Sequence, residues 1–192
     1  MEIMIVIIFS YLLGSIMSGY LVSKIFAGKD IREMGSKNVG ARNAGTLFGK
    51  KAFFITAIGD GLKGLVAIFI AKGLGLSIEV QAVVLLAVLV GHLFPIFLKF
   101  HGGKGIATFI GSFLIFDFIS FLYFLAAFVL LALLSRSATI AVLGAFSLLP
   151  ILYFATYETT AVPLLITVTV ILLLWASRTN IIEKFAANSS RK

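Results

Sequence analysis

The stretch Phe100-His101-Gly102-Gly103-Lys104-Gly105-Ile106-Ala107-Thr108 sets three glycines around one lysine just before an apolar run. Glycine allows close backbone approach to a ligand, and a helix starting after such a turn offers unpaired N–H groups and the positive end of its dipole. With the charge of Lys104 this is equipment for holding a phosphate. A tight turn between two helices is the competing reading, and the spacing is not that of a Walker A loop. A second cluster, Gly35-Ser36-Lys37-Asn38-Val39-Gly40-Ala41-Arg42-Asn43-Ala44-Gly45, combines small residues, amides and cations. Its backbone N–H groups and Arg42 could wrap an anion, or it could be a flexible basic loop. Ser135-Arg136-Ser137-Ala138-Thr139 and Ser177-Arg178-Thr179-Asn180 each join hydroxyls to an arginine, which suits helix capping as readily as ligand binding.

Three ionisable residues stand in otherwise apolar sequence. Asp60 and Lys63, at spacing i, i+3, share a helix face and can neutralise each other. At such depth a charged pair is either functional or a structural tie between helices. His92, in Gly91-His92-Leu93-Phe94-Pro95, reads either as a histidine satisfied by a neighbouring helix or as a substrate contact. Much familiar chemistry is missing. There is no cysteine, and a count of two histidines argues against a dedicated metal site. No Gly-x-Ser-x-Gly elbow occurs, and neither histidine has an aspartate five residues on. Any group transfer here would have to proceed by positioning and charge stabilisation.

The elements that position these residues follow from composition. Of the 192 residues 60% are hydrophobic and 12% charged, about half the charged share of soluble domains. Apolar blocks approach the ~20 residues needed to cross a bilayer as helix and lack the alternation of a β-barrel. The fold class expected is an all-α integral membrane protein, one domain over 1–192. Seven transmembrane helices are expected at about 3–25, 52–72, 79–98, 104–116, 119–134, 138–156 and 160–176, with a short amphipathic tail at 180–188. Small residues Gly14, Ser15, Ser18 and Gly19 prepare the first helix for close packing. Residues 104–134 could form one long helix or two turning at Asp117. With two, and the N-terminus outside, every basic residue but Lys63 and Lys72 falls on the cytoplasmic side, as positive-inside distribution requires. The net charge of +8 then reports membrane orientation rather than nucleic acid. A transporter for a phosphorylated anion would share such charges, but no inverted repeat is visible and the polar motifs gather on one side.

Taken together, Tyr11 to Ser15, Gly35 to Asn43, Asp60-Gly61-Leu62-Lys63-Gly64, Gly91 to Pro95, Gly102 to Thr108 and Asn180-Ile181 give a resemblance. The chain resembles the acyl-phosphate-dependent glycerol-3-phosphate acyltransferases of bacteria, the PlsY type, over essentially its whole length. The resemblance implies transfer of an acyl group from acyl phosphate to the 1-hydroxyl of glycerol 3-phosphate, giving lysophosphatidic acid and phosphate. It implies no cofactor, a multi-pass place in the bacterial cytoplasmic (inner) membrane among its lipids, and a site facing the cytoplasm. Ser36, Asn38, Arg42, Asn43, Gly102, Gly103, Lys104, Gly105, Arg136, Thr139 and Asn180 are then the expected phosphate and substrate ligands. Asp60, Lys63 and His92 are the expected supports. With no evident general base, a phosphate oxygen of the donor would accept the hydroxyl proton, its second pKa of about 6 suiting that task. The chain departs from the family pattern at Lys37, Val39 and Arg42, where Gly, Pro and Thr are usual. Thr46 stands for an arginine, Ala176-Ser177 for Arg-His, and Ala138 and Thr139 for paired serines.

Overall fold

The computed structural model describes residues 1–179. The expected tail at 180–188, and Asn180, lie outside the described residues. The described chain is helical and falls into two compact units, Met1–Phe116 and Asp117 onward.

The first unit opens with a departure from expectation. One helix over 3–25 was expected, but α1 (Glu2–Gly14) ends and α2 (Ser18–Ala27) starts anew. Met17 is extended at the break, with φ −102° and ψ 101°. A broken helix exposes carbonyls at one new end and N–H groups at the other, which lipid cannot satisfy. Lys63 and Asp60 meet that need. The Lys63 ammonium donates to the carbonyls of Gly14 (2.8 Å) and Ile16 (2.7 Å). The Asp60 carboxylate accepts the N–H of Ser18 at 3.3 Å. The cation therefore sits at the negative end of α1 and the anion at the positive end of α2, both favourable to the helix dipoles. The pair is closed by a 3.2 Å contact between the two side chains.

Helix α2 stops at Gly28, whose φ of 67° is the left-handed C-cap. A 3₁₀ turn at Ile31–Glu33 follows, and then α3 (Ala41–Phe48), a helix that the loop composition did not announce. Helix α4 (Lys50–Gly73) leads through a short turn to α5 (Ile78–Leu93). A non-helical return, with a 3₁₀ turn at Ile96–Leu98, then reaches α6 (Ile106–Phe116). Helix α1 packs on α5 and α4 on α6. Close approach depends on absent side chains: a Cβ on Gly14 would strike the Val88 carbonyl, and one on Gly91 the Tyr11 carbonyl. Gly64 and Gly111 make equally tight contacts, with Thr108 and Gly61 respectively. In lipid, where apolar surface gives helices little reason to associate, such contacts fix the packing.

The second unit contains α7 (Phe118–Ser135), α8 (Ala138–Thr156) and α9 (Ala161–Ala176), with α8 packed on both others. The chain does break at Asp117, as the charge distribution required. Asp117 caps α7, accepting the N–H (3.0 Å) and hydroxyl (2.7 Å) of Ser120, and it also accepts the hydroxyl of Tyr153 at 2.9 Å. Phe124 stacks on Phe146 at 5.0 Å between ring centres.

Five segments are long and apolar enough to cross a membrane: Glu2–Ala27 (α1 and α2 together), Lys50–Gly73, Ile78–Leu98, Phe118–Ser135 and Ala138–Thr156. The other two expected spans are shorter helices, Ile106–Phe116 and Ala161–Ala176. At 11 residues α6 rises only ~17 Å, about half of a ~30 Å hydrocarbon core.

Candidate active site

The first glycine-rich loop is organised from within by Asn43. This buried side chain donates to the carbonyls of Met34 and Asn38, each at 3.0 Å, while its oxygen accepts the N–H of Ser36 at 3.0 Å. Its two amide hydrogens are spent on the loop's own carbonyls, so in this arrangement Asn43 shapes the loop. Gly35 and Lys37 take left-handed backbone here, with φ of 54° and 61°. Ser36 and Arg42 are exposed and Asn38 is half-buried. Arg42 lies in the first turn of α3, and Thr46, one turn later, donates its hydroxyl to the Arg42 carbonyl at 2.9 Å.

The second corner is Gly102-Gly103-Lys104-Gly105, directly before α6. Gly105 has φ 78°, so only glycine sits there without strain. Gly102 and Gly103 are glycine for another reason. A Cβ on Gly102 would meet the His92 and Leu93 carbonyls, and one on Gly103 would land on the His92 imidazole. Lys104 is half-buried between them and the helix start. A helix that starts after such a turn leaves its first N–H groups without partners inside the helix.

The two corners are fastened together. Arg32 donates to the Leu98 carbonyl at 2.8 Å, while its Nε holds both oxygens of Asp30 at 3.0 Å. The Arg32 guanidinium holds the Asp30 carboxyl below its ordinary range, chiefly through that hydrogen bond. Beneath the clamp lies a small apolar core shared by both corners: Met17, Val22, Ile31, Val39, Ala44, Ala52 and Leu98. Nothing in the sequence separated Arg32 from the other loop cations, since its partner is a backbone carbonyl 66 residues away.

Asp60, Lys63 and His92 are all buried. His92 Nδ1 lies 3.0 Å from the Thr108 hydroxyl and 3.9 Å from Asp60. Arg136, exposed and left-handed with φ 50°, ends α7, and Thr139 lies half-buried in the first turn of α8. Among the described residues no cluster of His, Cys, Asp and Glu could hold a metal ion.

A family model described as glycerol-3-phosphate acyltransferase matches residues 4–187. The chain belongs to that family, of the PlsY type. Among the acyltransferases it resembles, a Bacillus cereus glycerol-3-phosphate acyltransferase 1 is 37% identical, covering 88% of this chain and 93% of that one. A Bacillus anthracis glycerol-3-phosphate acyltransferase 1 is 40% identical over 84% of this chain and 87% of its own. Among solved structures, the glycerol 3-phosphate form of PlsY (YgiH), an integral membrane glycerol 3-phosphate acyltransferase, superposes with TM-score 0.87. That match has 31% identity, over 97% of this chain and 94% of that one. The lysophosphatidic acid form of PlsY gives TM-score 0.83 at 29% identity, over 97% and 93% of the two chains. Set against the acyltransferase pattern, Arg42 and Thr46 occupy neighbouring places on one face of α3. The two side chains stand one helical turn apart.

Proposed function

We propose that this chain transfers an acyl group from acyl phosphate to the 1-hydroxyl of glycerol 3-phosphate, releasing lysophosphatidic acid and inorganic phosphate. The observation that carries the reading is the fastening of the Asn43-organised loop to the Gly-Lys turn through Arg32 and Leu98. Both substrates bring phosphate, and two cationic, glycine-lined corners side by side suit two phosphorylated molecules held in reacting contact. In this proposal Lys104, the Gly102–Gly105 backbone and the first-turn N–H groups of α6 bind one phosphate. Ser36, Asn38 and Arg42 face the other, with Asn43 shaping their loop. Arg42 supplies the loop's charge from one turn earlier than the family arginine. Arg136, Thr139 and Asn180 enter as further phosphate ligands on the family resemblance.

We assign no side chain as general base, and Asp60 is occupied by Lys63 and Ser18. A phosphate oxygen of the donor accepts the hydroxyl proton as the C–O bond forms, and the acyl–phosphate bond breaks with phosphate as leaving group. We further propose seven crossings, the N-terminus outside and the corners facing the cytoplasm, the arrangement that keeps the loop cations on one side. Purified protein in lipid nanodiscs, given acyl phosphate and glycerol 3-phosphate, tests the reaction by phosphate release. Release that requires both substrates supports it. Release with acyl phosphate alone, or none with both, refutes it.

A further inference from the structure

A buried line of polar groups runs from the break in the first helix to the phosphate turn, and the proposed acyl transfer makes no direct use of it. At one end Lys63 and Asp60 hold the backbone of Gly14, Ile16 and Ser18. Asp60 then faces His92 Nδ1 at 3.9 Å. On the same side of the ring, Nδ1 meets the hydroxyl of Thr108, in the first turn of α6, at 3.0 Å. On the other side, the Nε2 edge lies where a side chain on Gly103 would have to be. The backbone closes the arrangement, Gly103 donating its N–H to the His92 carbonyl at 3.1 Å. His92 is 2% exposed, so the ring has nowhere to retreat.

We propose that His92 is a positioning residue for the phosphate turn: its Nδ1 anchors the start of α6 through Thr108, and its Nε2 edge sets the height of the Gly103 backbone. The glycine at 103 answers to His92 and not to a phosphate. The deduction rests on the turn being a phosphate site, and it makes two demands that site reading does not. The nitrogen that matters is Nδ1, so asparagine, whose amide reaches the δ position but no farther, keeps the anchor, whereas glutamine, which reaches the ε position, does not. Shortening the ring to asparagine also vacates the space that a methyl group at 103 needs.

The test is a set of variants in nanodiscs: His92→Asn, His92→Gln, Thr108→Val, Thr108→Ser, Gly103→Ala and the double variant His92→Asn/Gly103→Ala. Each is measured for KM and kcat with both substrates, for glycerol 3-phosphate binding by calorimetry, and for thermal unfolding. Thr108→Val and His92→Gln should raise one phosphorylated substrate's KM about ten-fold, the weight of one hydrogen bond to a charged-ligand site, with kcat little changed. Thr108→Ser and His92→Asn should stay within a few-fold of the parent. Gly103→Ala should lose activity severely, and the double variant should regain at least ten-fold of it. A double variant no better than Gly103→Ala, or equal behaviour of the asparagine and glutamine variants, overturns the proposal. So does a melting change without a KM change. Failure of the parent to turn over sinks the acyl-transfer reading separately. The same contrasts in glycerol 3-phosphate binding and in melting temperature then still decide the role of His92.

Discussion

The two units solve the same problem in different ways. In Met1–Phe116 buried polar side chains reach across elements: Lys63 to α1, Asp60 to Ser18, Tyr11 to the Phe94 carbonyl, and His92 to Thr108. From Asp117 to residue 179 the polar side chains stay closer to home. Thr169 donates to the carbonyl four residues back, Ser147 does the same, and the cross-helix contact of Tyr153 with Asp117 is accompanied by stacked rings. A side chain bonded to its own helix tells that helix nothing about where its neighbours lie. One bonded across helices fixes a distance. The first unit therefore has the properties of a template for a site, while in the second these hydroxyls serve their own helices.

The contrast is sharpest at Lys104. Replacement by Ala should abolish turnover, a loss of about 10³-fold or more where a cation opposes developing charge, with the helical signal and detergent stability retained. Substantial residual phosphate release would remove the turn from the site. Next in size is the Asp60–Lys63 pair. Asp60→Ala strands a buried ammonium and should cost about 3–5 kcal/mol of stability, while Asp60→Ala/Lys63→Ala should cost less than the sum of the single changes. In the second unit Thr169→Val should shift stability by only about 0.5 kcal/mol, because the carbonyl it leaves is already bonded within the helix. Thermal unfolding of the four variants decides. Equal costs in both units would erase the distinction drawn above.

A smaller effect concerns the exchanged pair on α3. Arg42→Ala should raise the KM of one phosphorylated substrate by about ten-fold, as expected of one charge-assisted contact. Arg42→Thr/Thr46→Arg, which restores the family order, should recover most of the loss, since both positions share a helix face. If the exchange is as damaging as the alanine, Arg42 does not stand in for the displaced arginine.

How much of this could be read from the chain alone differs by scale. The apolar blocks and the charges between them gave the helical class, and positive-inside distribution correctly broke 104–134 at Asp117. The break at Ser15–Met17 was not legible, because Gly14, Ser15 and Ser18 look equally at home in an unbroken helix packing on small residues. What breaks it is Lys63, 49 residues from Gly14, and a hydropathy profile has no long-range partners in it. Helix α3 was hidden for a related reason: its composition is polar and glycine-flanked, and its apolar face is buried only because Ile31, Val39 and Leu98 come from elsewhere. At the site, the residue types of the Gly-Lys turn announced phosphate, yet two of its glycines serve packing against His92, Leu93 and Pro95. Asn43, expected as a ligand, spends both amide hydrogens inside the loop, on carbonyls that its own sequence position does not single out.

The smallest predicted effect tests whether the clamp between the two corners is electrostatic. Arg32 is tied to Asp30 by a forked contact and to Leu98 by one bond to a carbonyl. Because the folded Asp30 pKa is lowered by Arg32, the pair's contribution is fully present above the unfolded carboxylate value of about 3.9. It disappears as pH falls through the lower folded value. Both side chains are partly open to solvent, so screening limits the contribution to about 1 kcal/mol or less. The difference in stability between the parent and Asp30→Asn should therefore be flat from pH 8 to about 5 and close only below about pH 4. High salt should shrink it. Arg32→Lys, which keeps the charge but cannot span Asp30 and the Leu98 carbonyl together, should raise the KM for phosphorylated substrate a few-fold across that whole range. A stability difference that instead changes near neutral pH would mean that a group other than Asp30 sets the strength of the clamp. No difference at any pH would mean that the corners are joined by their shared apolar core rather than by the ion pair.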